Sequence, residues 1–364
     1  MDHRSDLGAL AGATVLVTGG AGLIGSRITA RLRALGARPT ALCTMNAYPE
    51  QVYADLFGVR VGDPGLVVGD VRDAALVREL VAGSDYVIHA AALADVAACT
   101  REPLAAIDTN VAGTQNVLDA VAATGRVRRM VFVSSASVYG DGNPEETDSL
   151  ELLTMRQLLE SVHGRIPPQF HEFTHTRPKS VYGNTKAWGE KQTALVLGQA
   201  GTSYAIVRYF SVYGEPQTVK RDSHSWVVAW FAARAHLGLP LHLNGGGRQV
   251  RDLVHVDDIT EGTLRALTSA RAHTETVNIG SGVPTSVRTV ARLVQAHYPN
   301  TPLLETPLPA GDPFGGYAAT RRMESVLGWR PRVTITDGVA RYVKWLQATP
   351  AAAPHWLGRE AAAA

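Results

Sequence analysis

Cysteine is scarce in this chain: Cys43 and Cys99 are the only two among 364 residues, and they form no CxxC pair. That excludes a disulfide framework and points to a reducing compartment. Excess charge is missing as well. Against 35 Lys and Arg stand 33 Asp and Glu, a net charge of +2, and the densest basic cluster, Arg126 with Arg128 and Arg129, sits just before a strand. Solvated loop charges are common there, so no nucleic-acid partner is expected. Long apolar runs are absent too. The start, MDHRSDLGALAGATVLVTGG, carries acids before its apolar run and glycines that break it, which suits neither a signal peptide nor a membrane span. A cytoplasmic protein with no membrane partner is expected.

What is present is an ordinary globular composition, 45% hydrophobic and 19% charged. Short β-branched runs alternate with amphipathic stretches through the first half, the pattern of a doubly wound parallel sheet of the Rossmann type. Strands are read at ATVLVTGG (13–20), RPTALCT, GLVVGD, YVIHAAA and MVFVSSA, with helices at LIGSRITARLRALG, AALVRELVAG and DTNVAGTQNVLDAVAATG. After TSYAIVRYFSVYG the alternation loosens. The expected division is a dinucleotide-binding domain over 1–210, with the chain returning around 252–282, and a smaller mixed α/β substrate lobe over 211–350. The alanine- and proline-rich end, 351–364, reads as a flexible tail.

In TGGAGLIGS, Gly19, Gly22 and Gly25 follow a strand and open a helix. Glycines there permit a tight turn, close approach of backbone N–H groups to a pyrophosphate, and tight helix-to-strand packing. A glycine-rich turn with no ligand is the plainer alternative. An acid is lacking where one usually contacts the adenosine ribose: the second strand ends ALCTMN, with Cys43 and Thr44 in that place. No arginine follows that strand to suggest a 2′-phosphate either. NAD is expected over NADP. Asp70, in VVGDVRD, ends the third strand and is either a cofactor contact or a solvent-facing turn residue.

Tyr182 and Lys186, in VYGNTKAWGE, are four apart in a helical stretch and share one face. A nearby ammonium favours phenolate, which makes Tyr182 a plausible base for a sugar hydroxyl. Such a pair also arises by chance in helices. Its combination with the glycine turn and with the hydroxyl cluster SSASVYG (134–140) is what gives it weight.

The ordered series TGGAGLIGS, GDVRD, HAAA, NVAGTQNVLDA, VFVSSASVYG, YGNTK, RYFSVYGEPQ, GGGRQVRDLVHVDDI, VNIGSG and LGWRP resembles the extended short-chain dehydrogenase/reductase family of nucleotide-sugar epimerases and dehydratases, from about Val15 to Pro331. The resemblance implies Ser135 as catalytic hydroxyl, Tyr182 as acid/base, and Lys186 as the group that binds the nicotinamide ribose and tunes Tyr182. It implies cofactor contacts from Gly19, Gly22, Leu23, Ile24, Gly25, Asp70, Val71, Ala90, Ala91, Asn110 and Tyr209, besides Tyr182 and Lys186. Substrate contacts are implied for Ser135, Ser137, Tyr182, Ser211, Gln217 and Arg251, the last on a pyrophosphate; the alternative for Arg251 is an ion pair with Asp252 or Asp257. A homodimer through the NVAGTQNVLDAVAATG and YGNTKAWGEKQTALVL helices is implied too, as is a nucleoside-diphosphate sugar as substrate.

The residues after Ser135 separate the members of such a family. Sugar 4,6-dehydratases resemble one another in carrying an Asp and Glu pair there, and UDP-glucuronate decarboxylases a glutamate two residues after the catalytic hydroxyl. Here Ala136 and Ser137 stand in those places. A 4-epimerase, which returns the same hydride to the other face of a 4-keto sugar, needs neither carboxylate. The alternatives are a dehydratase or 4-ketosugar reductase with other acid/base groups, or a non-catalytic nucleotide sensor.

Some positions depart from the family pattern. Ser211 replaces the usual Asn of the RYFNVYG motif, Pro309 and Ala310 precede Gly311 and Asp312 where many members carry an arginine, and Arg321 or Arg322 is a candidate to supply that charge. The forty residues between Gly140 and Val181 exceed the ordinary loop range. They read either as a lid over the sugar bearing His171, His175 and Arg177, or as a surface helix. His163, His171 and His175 form no recognisable metal-ligand pattern, so no metal is expected.

Overall fold

The chain is described by a computed structural model that covers residues 7–141, 150–221, 226–309 and 313–363. Its first half winds β1 (Thr14–Thr18), α1 (Leu23–Ala34), β2 (Arg38–Cys43), β3 (Leu66–Val68), α2 (Ala74–Ala82), β4 (Tyr86–His89), α3 (Gly113–Thr124) and β5 (Arg129–Ser135). After α4 (Leu150–His163) and the two-residue β6 (Gln169–Phe170) come α5 (Val181–Gln199), β7 (Tyr204–Tyr209), β8 (Ser211–Tyr213) and α6 (Val227–His236). The rest is β9 (Leu241–Asn244), β10 (Val250–His255), α7 (Val256–Thr268), β11 (Glu275–Ile279), β12 (Pro284–Ser286), α8 (Val287–Gln295), β13 (Leu303–Thr306), β14 (Tyr317–Ala318), α9 (Ile335–Ala348) and α10 (His355–Ala363).

Seven strands pair in parallel in the order β11-β7-β5-β4-β1-β2-β3. The runs TVLVT, YVIH and YAIVRY are almost wholly buried because helices cover both faces of a parallel sheet. On one side Ile28 and Leu32 of α1, with Ile259, Leu264 and Leu267 of α7, pack on Val15, Val17, Ile88, Val131 and Val207. On the other, Val77, Val117, Leu118 and Leu197 cover Leu16, Leu42, Val87 and Phe132. Each such side chain contributes roughly 1.5–3 kcal/mol by leaving water. Strand order reverses between β1 and β4, and the crevice beyond the carboxyl ends of those strands is where open α/β sheets take ligands.

A second core lies around α6, α8 and α9, built from Phe231, Leu241, Val290, Val294, Val343 and Leu346. The small sheets β12-β10-β8 and β13-β9 contribute Leu253, Leu241 and Leu243 to it, whereas the β14-β6 pair lies on the first core through Phe170 and Ala318. Segment 48–57 packs against the second core. Tyr53 is fully buried, Tyr48 and Phe57 pack on its ring at 5.7 and 5.8 Å, and Leu56 reaches the second core. Lys220 Nζ lies 4.2 Å from the centroid of the Tyr48 ring.

The chain end differs from the flexible tail read in the sequence over 351–364. Leu357 of α10 is fully buried, and Trp356 stacks on Trp230 at 6.5 Å. An alanine-rich stretch reads as frayed, but one leucine and one tryptophan with a hydrophobic seat dock it.

His89 ends β4 inside this fold. Thr18 Oγ1 accepts from Ala91 N at 3.1 Å, so its own proton faces His89 Nδ1 at 2.7 Å. Thr114 Oγ1 donates to the Asn110 carbonyl at 2.6 Å and so receives His89 Nε2–H at 2.9 Å. Both ring nitrogens are satisfied only while the ring is neutral, and burial pushes its pKa from 6.5 down to about 3. The unfolded chain therefore takes up a proton that the folded one refuses. Stability contributed by His89 is complete above pH 6.5 and falls by about 1.4 kcal/mol per unit as the pH drops toward 3. Urea unfolding of His89→Gln between pH 7 and 4 should show a flatter decline than the parent, and parallel curves would contradict this.

Candidate active site

The turn after β1 supplies the first wall. Gly19 has φ +71°, and a Cβ there would lie 2.9 Å from Ala91 N. A Cβ on Gly25 would fall 2.1 Å from the Gly19 carbonyl oxygen, whereas one on Gly22 would meet only that oxygen, at 3.4 Å. Gly19 and Gly25 thus serve packing, and Gly22 faces open space. Gly22 is also the N-cap of α1, with no side chain capping the helix and no acid in its first turn. The N–H groups opening the helix at Leu23 and Ile24 are left for an anion. Such a cradle fits the pyrophosphate of a dinucleotide.

The rim around it is mixed. The backbone of Ala90 and Ala91 is tied to Thr18. Asp70 turns to Arg72, accepting from its backbone N and both Nε and Nη2 at 2.7–3.0 Å, and this bond holds its carboxyl below the usual range. Val71 is buried against the start of α3. Where β2 lacks its acid, Thr44 Oγ1 bonds Asn46 Oδ1 at 2.6 Å.

Two residues expected at the cofactor, Asn110 and Tyr209, also have their side chains tied into the framework. Asn110 spends its amide on Leu93 N, Leu93 O and Thr185 Oγ1, bracing the loop after β4 against α5. Tyr209 is buried with its hydroxyl on Thr263 Oγ1 at 2.5 Å, because the β7 side chains alternate into the cores on either face of the sheet.

The second wall forms where β5 meets α5. After Ser135 the chain makes a short 3-10 turn, Ala136–Tyr139, which Ser135 caps: its Oγ accepts from Ser137 N at 3.1 Å. Ser180 caps α5 in the same way, accepting from Gly183 N at 3.0 Å. A Cβ on Gly183 would lie 2.6 Å from the Ser137 carbonyl, so glycine there lets the first turn of α5 press on the serine turn. This contact brings the Ser135 side chain close enough to Tyr182 to favour its phenolate. Ser135 Oγ also donates to Ser137 Oγ at 3.0 Å.

Lys186 is buried one turn beyond Tyr182. Its Nζ donates to the Val133 carbonyl at 2.9 Å and lies 5.9 Å from the Tyr182 ring centroid. Burial lowers its pKa to about 8, opposed by Cys99 and Glu190. Burial also raises the pKa of Tyr182 to about 12, and the nearby Ser135 hydroxyl opposes that rise. A phenol, a hydroxyl and an ammonium so placed form a proton-transfer set whose phenolate needs further positive charge in the cleft.

The substrate side is more dispersed. Ser211 is half-buried at the start of β8. Gln217 is 2% exposed, and among the described residues its Oε1 has no hydrogen-bond partner. Arg251 Nη1 donates to the carbonyls of Val250, Pro313 and Phe314 at 2.8, 3.2 and 3.5 Å. Neither Asp252 nor Asp257 is its evident counterion. Asp252 accepts from Ser281, Gly282 and Ala318, while Asp257 pairs with Arg27 and Arg341. Among the described residues, the His and acid group compact enough for a metal is Glu215, His255 and Asp257. Arg27 and Arg341 already neutralise it.

The long connection splits in two. Residues 142–149 lie outside the described ones, as do Ala310, Gly311 and Asp312. Helix α4 exposes Met155, Leu158 and Val162. From Pro168 the connection is built into the fold: β6 pairs β14, Phe170 stacks on Tyr139 at 4.8 Å, and Asn278 N donates to Glu172 Oε1 at 2.9 Å. His171, His175 and Arg177 are exposed. Arg322 is turned to Glu275 and the Thr276 carbonyl, so it does not replace the charge missing from the 309–312 loop. Sequence reading passes over Glu190, although its signal is there: it is four residues after Lys186, one helical turn.

Known proteins can be set beside this geometry. A model described as the NAD dependent epimerase/dehydratase family matches residues 15–158 and 159–280. The chain is 31% identical over 351 residues to dTDP-L-rhamnose 4-epimerase of Burkholderia thailandensis, covering 92% of this chain and 95% of that one. It is 31% identical over 341 residues to dTDP-glucose 4,6-dehydratase of Streptomyces antibioticus, covering 91% of each. The UDP-glucose 4-epimerase of Thermus thermophilus, solved in complex with NAD, superposes with a TM-score of 0.75 at 28% identity, over 92% of this chain and 99% of that one.

Proposed function

Since the chain belongs to the NAD-dependent epimerase/dehydratase family, we propose that it is a nucleoside-diphosphate-sugar 4-epimerase working through a transient 4-keto sugar. One observation carries this reading. Tyr182, Ser135 and Lys186 form a proton-transfer set, while the two positions beyond Ser135, which would flank a bound sugar, hold Ala136 and Ser137 with no carboxylate. Eliminating water across C5 and C6 needs a further acid and base, and these positions offer neither.

NAD, when bound, would supply the acceptor and donor for the C4 hydride. Its pyrophosphate would be held at Gly22, Leu23 and Ile24, and its nicotinamide end near Tyr182 and Lys186. Tyr182 takes the proton of the C4 hydroxyl, and Ser135 donates a hydrogen bond to the oxygen as it becomes a carbonyl. Lys186 keeps a positive charge beside the phenolate. On return Tyr182 gives the proton back, and the sugar leaves with C4 inverted and no change of mass. Gln217, with its unpaired Oε1, and Arg251 are proposed to hold the nucleotide sugar, with Ser137 and Ser211 nearer the sugar. We also propose a homodimer through α3 and α5, which light scattering would test.

Incubation with a panel of UDP- and dTDP-hexoses and UDP-glucuronate tests the reaction. Inversion at C4 seen by NMR at constant mass is the expected result. Loss of water would instead establish a dehydratase, the reading that the 31% likeness to a 4,6-dehydratase favours. Arg251→Ala should raise KM by roughly tenfold or more with kcat changed little, as for a charged hydrogen bond made equally in ground and transition states. A fall in melting temperature with KM unchanged would reduce Arg251 to a brace for Pro313 and Phe314.

A further inference from the structure

We propose that Glu190 is a positioning residue for the catalytic set: it holds the end of β5 through Ser134 and faces Lys186 from one helical turn away. This rests on the reading of Ser135, Tyr182 and Lys186 given above. Glu190 is 6% exposed. Its Oε1 accepts from Ser134 Oγ at 2.5 Å and from Arg208 Nε at 2.8 Å, and its Oε2 from Arg208 Nη2 at 2.6 Å. Ser134 precedes Ser135 on the same strand, and side chains alternate along a strand. A bond that fixes Ser134 on the covered face therefore fixes the direction in which Ser135 leaves the other.

The arrangement exceeds what a stabilising ion pair needs. Arg208 alone would satisfy Glu190 in bidentate fashion. A third donor, from the residue beside the catalytic hydroxyl, makes the carboxylate a joint between α5, β7 and β5. Arg208 extends the joint, since its Nη1 donates to Tyr139 Oη at 2.8 Å and Tyr139 donates to Asn278 Oδ1 at 2.6 Å. Both ends of the serine turn, Ser134 and Tyr139, are thereby held by one buried network.

Lys186 is faced by Tyr182 and Glu190 from its own helix, by His89 from β4 and by Cys99 from the helix Val96–Arg101. Burial keeps His89 neutral down to about pH 3 and Cys99 a thiol up to about pH 11. Glu190 is the carboxylate among these groups; it favours the Lys186 ammonium while Arg208 balances its charge.

NAD-loaded protein with no sugar serves as the probe. The apparent pKa of Tyr182 is read from the tyrosinate ultraviolet difference spectrum against Tyr182→Phe. Ser134→Ala deletes the joint but leaves the Glu190 and Arg208 pair whole, so the fold should persist. It should raise the Tyr182 pKa, and with the substrate found by the panel lower kcat by roughly tenfold or more at unchanged KM, as a displaced catalytic group does. The neutral pair Glu190→Gln with Arg208→Gln leaves the net charge unchanged but loosens the hold on Ser134 and Tyr139, and should also raise the Tyr182 pKa; if that variant does not fold, Ser134→Ala decides alone. A Ser134→Ala protein with unaltered Tyr182 titration and kcat overturns the inference, as does one whose rate falls only with its melting temperature and NAD content. Turnover surviving in Tyr182→Phe would instead defeat the underlying assignment of the acid/base.

Discussion

Tyr182→Phe should lose turnover by roughly 10²- to 10⁴-fold, the range for removing a general acid/base, while folding and holding NAD as the parent does. The change removes one oxygen. Ser135 keeps its bonds to Ser137 N and Ser137 Oγ, and Lys186 keeps its anchor on the Val133 carbonyl. Melting temperature and NAD content should therefore stay close to the parent values, and so should KM. Turnover by NMR with the active sugar of the panel, beside NAD content of the purified protein, is the measurement. A variant within twofold of the parent would remove Tyr182 from the mechanism, and with it the role given to Lys186.

The second large effect is a contrast between two glycines of the same turn. In Gly25→Ala the new methyl would lie 2.1 Å from Gly19 O, 2.7 Å from Gly20 Cα and 2.8 Å from Gly19 C. These are backbone atoms, so no side-chain rotation relieves the clash and the turn itself must shift. Overpacking of this kind costs about 1–3 kcal/mol or more, and a distorted turn should bind NAD weakly besides. Gly22→Ala differs: its methyl meets a single atom at 3.4 Å, an ordinary contact, so cofactor-free stability should hardly change. The methyl would stand in the approach of the anion, and NAD affinity should fall by roughly tenfold or more, about 1.4 kcal/mol. Urea unfolding of the cofactor-free proteins and calorimetric titration with NAD separate the two. Parent-like NAD binding by Gly22→Ala would mean that the pyrophosphate does not sit on this turn.

The sheet is readable from sequence because its signal is local: apolar runs of strand length, glycines at the first turn, and helical spacing between them. The Tyr182 and Lys186 pair is readable for the same reason, one turn of one helix. Other features rest on partners far along the chain. Ser134 and Tyr139 look like spare hydroxyls in SSASVYG until Glu190 and Arg208, 56 and 69 residues away, give them work. Tyr209 and Asn110 belong to recognisable motifs, yet only the packed structure turns their polar atoms onto Thr263 and onto Leu93 and Thr185. Asp70 sits where a cofactor contact is expected, and Arg72, two residues on, takes its carboxylate. The chain end illustrates the converse, since alanines and prolines say little about a helix whose place is set by Trp356 and Leu357.

The connection between the two catalytic segments has a seam. Upstream of Pro168 stands α4, whose apolar stripe at Met155, Leu158 and Val162 is exposed. Downstream, β6 is zipped to β14 and Phe170 lies flat on Tyr139. Cutting across residues 146–172 as one block would therefore remove a cassette and part of the chassis together, and the lost activity would say nothing about a lid. An exchange that stops short of Pro168 leaves the chassis whole. The helix then becomes a replaceable module, which could be swapped without rebuilding the enzyme beneath it.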